Sequence, residues 1–256
     1  MESLRLQQQF LRPIKMKKIF VGLLSLMAVL VMVPMFSAFE AHVVNVTAEI
    51  ENALYVHPQS IEYETVFPQE HLFSSFFISF SQSFSATTQR RVGTVEYVIK
   101  QKPQPIPERI DALGGPEAAR DFCHLNTPTN PGDPNDPYYL DCRPSICPYL
   151  SKHPDGLPRT GPNANNDVGL PPFHNPETNF ATGKLVKFPN INNDPADTWE
   201  IDLAVPCFSG QCAQDWDSFV KGLNPNATNT EAYKMHDGLQ GQKFGCDLWV
   251  EVTDIY

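Results

Sequence analysis

Prolines are concentrated in one part of the chain, where 18 of the 24 lie between Pro103 and Pro195. They are mixed there with Asn, Asp and Gly, as in TPTNPGDPNDP and GPNANNDVGLPP. Because proline lacks the N–H that sheets and helix interiors need, this stretch cannot stay regular for long. We expect a Pro/Asn/Asp-rich insertion at about residues 103–197, with short helical turns at 107–112 and 116–122. An insertion of this length is either disordered or held in place by cysteines.

Segments typical of β-strands lie on both sides of this insertion. Apolar residues occupy every second position in residues 61–67, 76–84, 199–207 and 244–252, the period of a half-buried antiparallel strand. Residues 41–52 and 92–102 are also expected to be strands, and residues 213–223 a short amphipathic helix. The chain is therefore predicted to be mainly β. The expected architecture is one domain over residues 39–256, an antiparallel, jelly-roll-like β-sandwich interrupted by the insertion.

The N-terminus has the pattern of an export signal. Lys15, Lys17 and Lys18 precede a charge-free apolar run of 15 residues, Ile19–Val33, and small residues follow up to Ala38. This order is typical of a secretory signal peptide, and the run is shorter than the roughly 20 residues of a membrane-spanning helix. Residues 1–38 are therefore predicted to be a signal peptide with an N-terminal extension. A signal peptidase would act on it during export, and only a retained signal would keep the protein in the membrane.

The charge of the exported part excludes some partners. Five of the 19 basic and one of the 29 acidic side chains precede residue 39, which leaves 14 basic and 28 acidic groups, a net charge of −14. Such a surface repels phosphate backbones and anionic lipid. We therefore expect no nucleic-acid partner and a protein located outside the cell or on its surface.

All cysteines lie at or beyond residue 123, and an even number in an exported chain indicates disulfides that could hold the insertion. They are Cys123, Cys142, Cys147, Cys207, Cys212 and Cys246. One pairing closes Cys142–Cys147 and Cys207–Cys212 locally and joins Cys123 to Cys246, and a cross-strand Cys207–Cys246 bridge competes with it. Two pairs with four residues between their cysteines could instead form a four-thiolate zinc site, at the edge of the usual ligand spacing. Fifteen disulfide connectivities exist, and the sequence does not select one.

No catalytic motif occurs in the chain. H-E-x-x-H, G-x-S-x-G and phosphate-binding loops are absent, and the seven histidines are scattered. We therefore predict no catalytic residues, no resident metal and a protein that is not an enzyme. The Asp/Asn loops at 133–137 and 190–197 offer oxygen ligands that could hold calcium, although turn formation explains the same residues. No other cofactor is indicated.

The junction between the signal and the first strands resembles the TasA/camelysin family of secreted proteins. The resemblance covers residues 16–102 and rests on Phe39-Glu40 at the start of the mature chain and on Pro68-Gln69-Glu70 before a strand. It departs from the family at Gln69, where glycine is common. The resemblance implies processing by a dedicated signal peptidase, a jelly-roll-like sandwich, a surface or biofilm-matrix location, and fibre assembly by strand exchange between subunits.

Three functional hypotheses follow from these observations. The first is a secreted structural or matrix protein that assembles into fibres or layers by strand pairing. The second is an extracellular module that binds a glycan or peptide through aromatic residues such as Trp199, Trp216 and Trp249. Alternation places Trp249 opposite the core-facing Phe244 and Leu248, so it is the candidate for an exposed binding residue. The third, less supported, is an extracellular hydrolase whose site is assembled from distant segments.

Overall fold

The computed structural model describes residues 52–86, 92–154, 167–187 and 194–256. This part of the chain belongs to one compact unit, Glu51–Tyr256. The predicted signal peptide lies outside the described residues, as does the predicted strand at 41–52 except for Asn52. Within the described ranges, no helix is long and apolar enough to span a membrane.

In the described residues, seven strands form two antiparallel sheets that pack against each other, so the mainly β prediction is confirmed. The first sheet contains β1 (Leu54–His57), β2 (His71–Phe80), β4 (His153–Pro154) and β6 (Ala196–Ala204), in the spatial order β1-β2-β6-β4. The second contains β3 (Thr94–Lys102), β5 (Ala181–Val186) and β7 (Asp247–Ile255), in the order β5-β3-β7. The helices within the described ranges are α1 (Gln82–Ser85), α2 (Pro116–Leu125) and α3 (Trp216–Leu223). Short 3₁₀ turns lie at Pro107–Arg109, Pro137–Leu140, Cys147–Tyr149, Thr230–Tyr233 and Asp237–Leu239.

Alternation along the strands builds the core between the two sheets. On β3, every second residue from Val95 to Gln101 is buried, and on β6 the buried set includes Trp199, Ile201 and Leu203. Tyr97 meets Trp199 edge-on across the core, with ring centroids 6.4 Å apart. The alternation of apolar residues in β3 and β6 therefore predicted correctly which side chains face the core.

One predicted strand, at residues 61–67, is wrong. This segment belongs to neither sheet, although Ile61, Tyr63 and Val66 pack against the core. Glu64 has φ 53°, a left-handed conformation that breaks an extended strand. The apolar spacing of residues 61–67 therefore reflects contact with the core. In the described part of the chain, this segment has no hydrogen-bonded strand partner.

The insertion contains more regular structure than its proline content indicates. Its described part includes α2, which begins at Pro116 as predicted, and β5, a full member of the second sheet that the sequence analysis missed. Between these elements the chain forms 3₁₀ turns and single bridges, which suit proline-rich sequence. Residues 155–166 and 188–193 of the insertion lie outside the described ranges.

All six cysteines form disulfides, with one predicted pairing confirmed and two wrong. Cys207–Cys212 closes locally as expected, whereas the other bridges are Cys123–Cys142 and Cys147–Cys246. The predicted Cys142–Cys147 and Cys123–Cys246 pairs and the competing Cys207–Cys246 bridge are therefore wrong. The four-thiolate zinc site is wrong as well, because no thiolate is left to bind a metal. Cys147 begins a 3₁₀ turn, and the Ser145–Gly245 bridge just before this turn brings it beside the start of β7, where Cys246 is its partner.

Candidate functional site

An open cleft lies between the two sheets, on the side where β7 forms an edge. Its volume is ≈ 1190 Å³, slightly above the usual range of about 300–1,000 Å³ for ligand sites. Its lining combines polar residues with apolar side chains from both sheets, and the apolar ones include Val56, Phe76, Ile201, Leu203, Leu248 and Val250. The β7 members of this set are only half-buried. In a sandwich such side chains are normally covered by a further element, so this cleft is the main candidate for a binding site.

Residues 58–67, here called the strap, all line this cleft. The Tyr63 hydroxyl donates a hydrogen bond to the main-chain oxygen of Ile201 at 3.0 Å, and Ile61 and Val66 pack on the core. Burial and the negative charge of Asp202 raise the pKa of Tyr63 well above its usual value, so its proton stays available for this bond. Within the described ranges, the main chain of residues 59–66 makes no main-chain hydrogen bond to the sheets. The strap is therefore held by side chains alone.

The outer edge of β7 is unpaired in the described part of the chain. Strand β7 (Asp247–Ile255) pairs on one side only, with β3, where eight of its nine residues have a partner and a register shift skips Thr253. Alternate N–H and C=O groups of an edge strand point away from its partner, and they form a template for another strand. Leu248 and Val250 border the cleft, so a strand added to this edge would lie directly over it. The free edge and the apolar cleft therefore form one continuous surface.

Cationic side chains line one border of the cleft, near the start of β7. This basic border consists of Arg120, Arg143 and Lys243. Arg120 binds Asp247 through Nε at 3.1 Å, and Gln104 donates to the other oxygen of the same carboxylate at 3.0 Å. Arg143 has no ion pair within the described residues. The cleft thus combines an apolar interior with a cationic edge.

The three tryptophans occupy different environments. Trp199 and Trp216 are buried in the core, which removes them as binding residues. Trp249 is half-buried and borders the cleft, as expected for a residue opposite Leu248. The Lys102 ammonium lies 3.4 Å from the centroid of its ring, a cation–π contact. One face of Trp249 is therefore already occupied, which leaves at most the other face for a sugar ring.

A polar network lies in the interior, away from the cleft, and the sequence analysis did not identify its members. Lys152 is fully buried, and its Nζ donates to the main-chain oxygen of Leu150 at 3.1 Å. Burial lowers the pKa of Lys152 to about 7. Burial and the Lys152 charge lower the pKa of His174 to about 3, and its ring nitrogens lie 2.8 Å from Pro171 O and 2.7 Å from Gln101 Oε1. Because these groups are almost fully buried and bond to neighbouring protein atoms, we assign the network to packing and not to ligand binding.

Three carboxylates, those of Asp167, Asp194 and Asp197, bring oxygens within 4.8 Å of one another. Two of them belong to the loop at 190–197 in which calcium ligands were expected, and Asp197 also accepts a hydrogen bond from the Tyr97 hydroxyl. Calcium takes about six to eight oxygens, so three carboxylates that each offer one oxygen supply at most half of a calcium site. The second loop, 133–137, is explained by turn formation: Asp136 accepts from the N–H groups of Asn130 and Tyr138, which lower its pKa.

In the part of the chain that the structure describes, one Asp–His pair could belong to a hydrolytic site. The Nδ1 of the exposed His71 lies 3.5 Å from the buried carboxylate of Asp202. The nearby Ser151 is fully buried and bonds to the main chain of Asp202, not to His71. Within the described ranges no serine or thiol hydrogen-bonds to the His71 ring, and every cysteine is in a disulfide. The arrangement therefore lacks the nucleophile–base contact that covalent hydrolysis requires.

Comparison of the chain with protein-family models, with curated proteins and with solved structures returned no match.

Proposed function

We propose that the protein is a secreted structural protein of the cell surface or extracellular matrix, which assembles by strand pairing at the free edge of β7. The observation that carries this proposal is the nine-residue edge strand, which has a partner on one side only. Native proteins usually shorten, charge or cover such an edge to prevent pairing between molecules. Here the edge is long, and Leu248, Val250 and Val252 make one side of the strand apolar.

The cleft supplies the second half of an acceptor surface. A strand that pairs with β7 would direct every second side chain toward the space between the sheets. That space is lined by Phe76, Ile201 and Leu203, so apolar side chains of the added strand would be buried there. Main-chain hydrogen bonds would then provide affinity and the cleft would select side chains, as in other cases of strand addition.

The segment 41–52 has the pattern required of the added strand. Val44, Val46, Ala48 and Ile50 fall on one face of an extended chain, while Asn45, Thr47, Glu49 and Glu51 fall on the other. Its 12 residues are enough to cover the nine of β7. We propose that this segment of one molecule pairs with β7 of the next, once cleavage after residue 38 has released it. The resemblance of residues 16–102 to the TasA/camelysin family agrees with this proposal.

The disulfides support an oxidising destination. Three bridges join six cysteines with none left over, which is typical of exported proteins and rare in the cytosol. The lysine-flanked apolar segment Ile19–Val33 would provide the export signal. Location outside the cell follows as part of the proposal.

Matched substitutions on the two faces of the proposed donor strand test this function. Val44→Asp places a charge on the face that would enter the cleft, whereas Val43→Asp places the same charge on the opposite face. Electron microscopy of the purified mature proteins should show fibres or layers for wild type and Val43→Asp, and monomers for Val44→Asp. Monomers of wild type under all conditions, including added calcium, would count against the proposal, as would equal assembly of both variants.

The cleft also supports a second candidate, an extracellular module that binds a peptide without assembling. An extended peptide could occupy the same edge and the same cleft as the proposed donor strand. A glycan is less favoured because Lys102 covers one face of Trp249. Screening the mature protein against glycan and peptide arrays, with Trp249→Ala as comparison, would separate these ligands. Binding to a glycan that Trp249→Ala abolishes would favour the glycan module.

A further inference from the structure

The charge of the cleft border differs from that of the protein. The whole chain has a formal net charge of −10, yet three cations line one border of the cleft, and Lys102 lies beside them on Trp249. Arg143 is half-buried and has no carboxylate partner in the described part of the chain. Arg143 and Lys243 have no ion pair within the described residues, so this border attracts an anion.

The acidic residues that line the same cleft do not neutralise this border. Glu62 and Glu64 are exposed, on the strap, and alternate with Ile61 and Tyr63, which face the core. Asp247 is engaged by Arg120 Nε and by Gln104. Within the described ranges, the terminal nitrogens of Arg120 have no hydrogen-bond partner, so they remain able to bind a further oxygen anion.

The interior of the cleft suits a hydrocarbon chain. The cleft has a volume of ≈ 1190 Å³, enough to enclose a ligand of this kind. Its apolar lining includes Val56, Phe76, Leu203, Leu248 and Val250. Burial of apolar surface contributes about 25 cal/mol per Å², so a long chain would gain most of its affinity here.

We propose that the cleft binds a single-chain amphiphile with a carboxylate head group, of the fatty-acid type. The hydrocarbon chain lies between the sheets, and the carboxylate binds the guanidinium of Arg143 and the terminal nitrogens of Arg120. A carboxylate matches the planar donor fork of arginine, which can bind both of its oxygens. Lys243 is exposed at the same border and adds attraction at longer range.

This proposal does not rest on assembly, since binding is measured on the monomer. The ligand and an added strand would need the same cleft, so the bound amphiphile is expected to reduce assembly. A protein that binds the amphiphile but never assembles would overturn the proposed function alone. A protein that assembles but binds no amphiphile would overturn this inference alone.

Isothermal titration of the secreted protein with laurate, dodecylamine and 1-dodecanol, each below its micellar concentration, tests the proposal. We expect laurate to bind with Kd of about 1–10 μM and dodecylamine at least tenfold more weakly. Arg143→Gln should weaken laurate about tenfold and leave dodecanol unchanged. Lys221→Gln, which removes an exposed cation of α3 that does not line the cleft, should change neither.

Lys243→Gln serves as a second variant in case Arg143→Gln fails to fold, because Lys243 is exposed and its loss leaves the core intact. It should weaken laurate about twofold to threefold and leave dodecanol unchanged. Dodecylamine binding as tightly as laurate would overturn the proposal. So would unchanged laurate affinity in both Arg143→Gln and Lys243→Gln, or no binding of laurate up to roughly 1 mM.

Discussion

The hydroxyl of Tyr97 donates a hydrogen bond to the carboxylate of Asp197 in the centre of the sandwich, and it accepts one from Trp199 Nε1 at 2.8 Å. Tyr97 lies on β3 and the other two residues lie on β6, so this contact joins the two sheets. Burial, together with the charge and hydrogen bond of Asp197, raises the pKa of Tyr97 far above its usual value. The phenol therefore stays protonated and keeps its donor role.

Replacing Tyr97 by Phe should destabilise the fold by about 2–3 kcal/mol. The substitution keeps the ring but removes a hydrogen bond to a carboxylate and leaves the buried Trp199 N–H without its acceptor. Tyr55→Phe is the control, because Tyr55 is 49% exposed and should change stability by less than about 0.5 kcal/mol. Urea unfolding followed by circular dichroism measures both. Equal effects of the two variants would contradict the assigned role of the Tyr97 hydroxyl.

Two glycines should respond in opposite directions to substitution by Ala. A Cβ at Gly183 on β5 would overlap the Tyr97 ring across the strand pair, whereas a Cβ at Gly222 in α3 would meet nothing within 4 Å. Gly183→Ala should therefore cost roughly 1–3 kcal/mol of stability through overpacking. Gly222→Ala should gain about 0.5–1 kcal/mol from helix propensity. Thermal unfolding of the two variants measures both changes. A Gly183→Ala variant as stable as the wild type would contradict the close packing of Tyr97 against Gly183.

Replacing Lys152 by Met should stabilise the protein near neutral pH by about 2–4 kcal/mol. Its amine is fully buried, has no carboxylate partner in the described part of the chain, and makes one hydrogen bond, to Leu150. A hydrophobic residue of similar volume avoids the desolvation of that group. Lys221→Met, at an exposed position, should change stability by less than about 0.5 kcal/mol. A loss of stability in Lys152→Met would show that the amine has a structural role.

The lowered pKa of Lys152 predicts how the stability of the fold depends on pH. Its folded pKa of about 7 lies below its unfolded value near 10.5, so the unfolded chain binds more protons between these values. Stability should therefore rise with pH above 7, by up to about 1.4 kcal/mol per pH unit, and fall as pH drops through this range. Buried tyrosines with raised pKa values oppose the rise above pH 10, so urea unfolding is measured from pH 7 to 9.5. Lys152→Met should lack the rise, and parallel curves for the two proteins would contradict the prediction.

The long-range disulfide should stabilise the fold more than the local one. Cys147–Cys246 closes a loop with a sequence separation of 99, whereas Cys207–Cys212 spans 5. Loop entropy predicts losses of about 4–5 kcal/mol for the first and about 2 kcal/mol for the second. Urea unfolding of Cys147→Ser/Cys246→Ser and Cys207→Ser/Cys212→Ser compares them. A larger loss in the second variant would contradict this account of the bridges.

The sequence predicted those strands and helices in which the spacing of apolar residues follows directly from the burial of one face. Strands β3, β6 and β7 and helix α3 appear near their expected positions, because alternating or three- and four-residue spacing follows from facing a core. Residues 61–67 have the same alternation but no strand partner, which only the tertiary structure reveals. The proline-rich context concealed β5, whose residues ATGKLV give a weak strand pattern.

Other parts of the site depend on contacts between distant segments. Cys147 pairs with Cys246 because the chain before β7 passes beside Ser145, a bridge that no spacing rule encodes. Lys152 and His174 occur in polar, proline-flanked sequence, and their burial arises from packing against β6 and Gln101. The basic border of the cleft joins α2, the segment around Arg143 and the start of β7. Alternation did place Trp249 on the face opposite Leu248, as the structure shows.

Hydrogen–deuterium exchange of β7 in the assembled and the monomeric protein tests the proposed strand pairing most directly. Pairing at the free edge should slow exchange of amides within residues 247–255 on assembly, while residues 196–204 of the central strand β6 change little. The same protection should be absent in Val44→Asp. Assemblies in which residues 247–255 exchange as fast as in the monomer would contradict the proposal that molecules join at this edge.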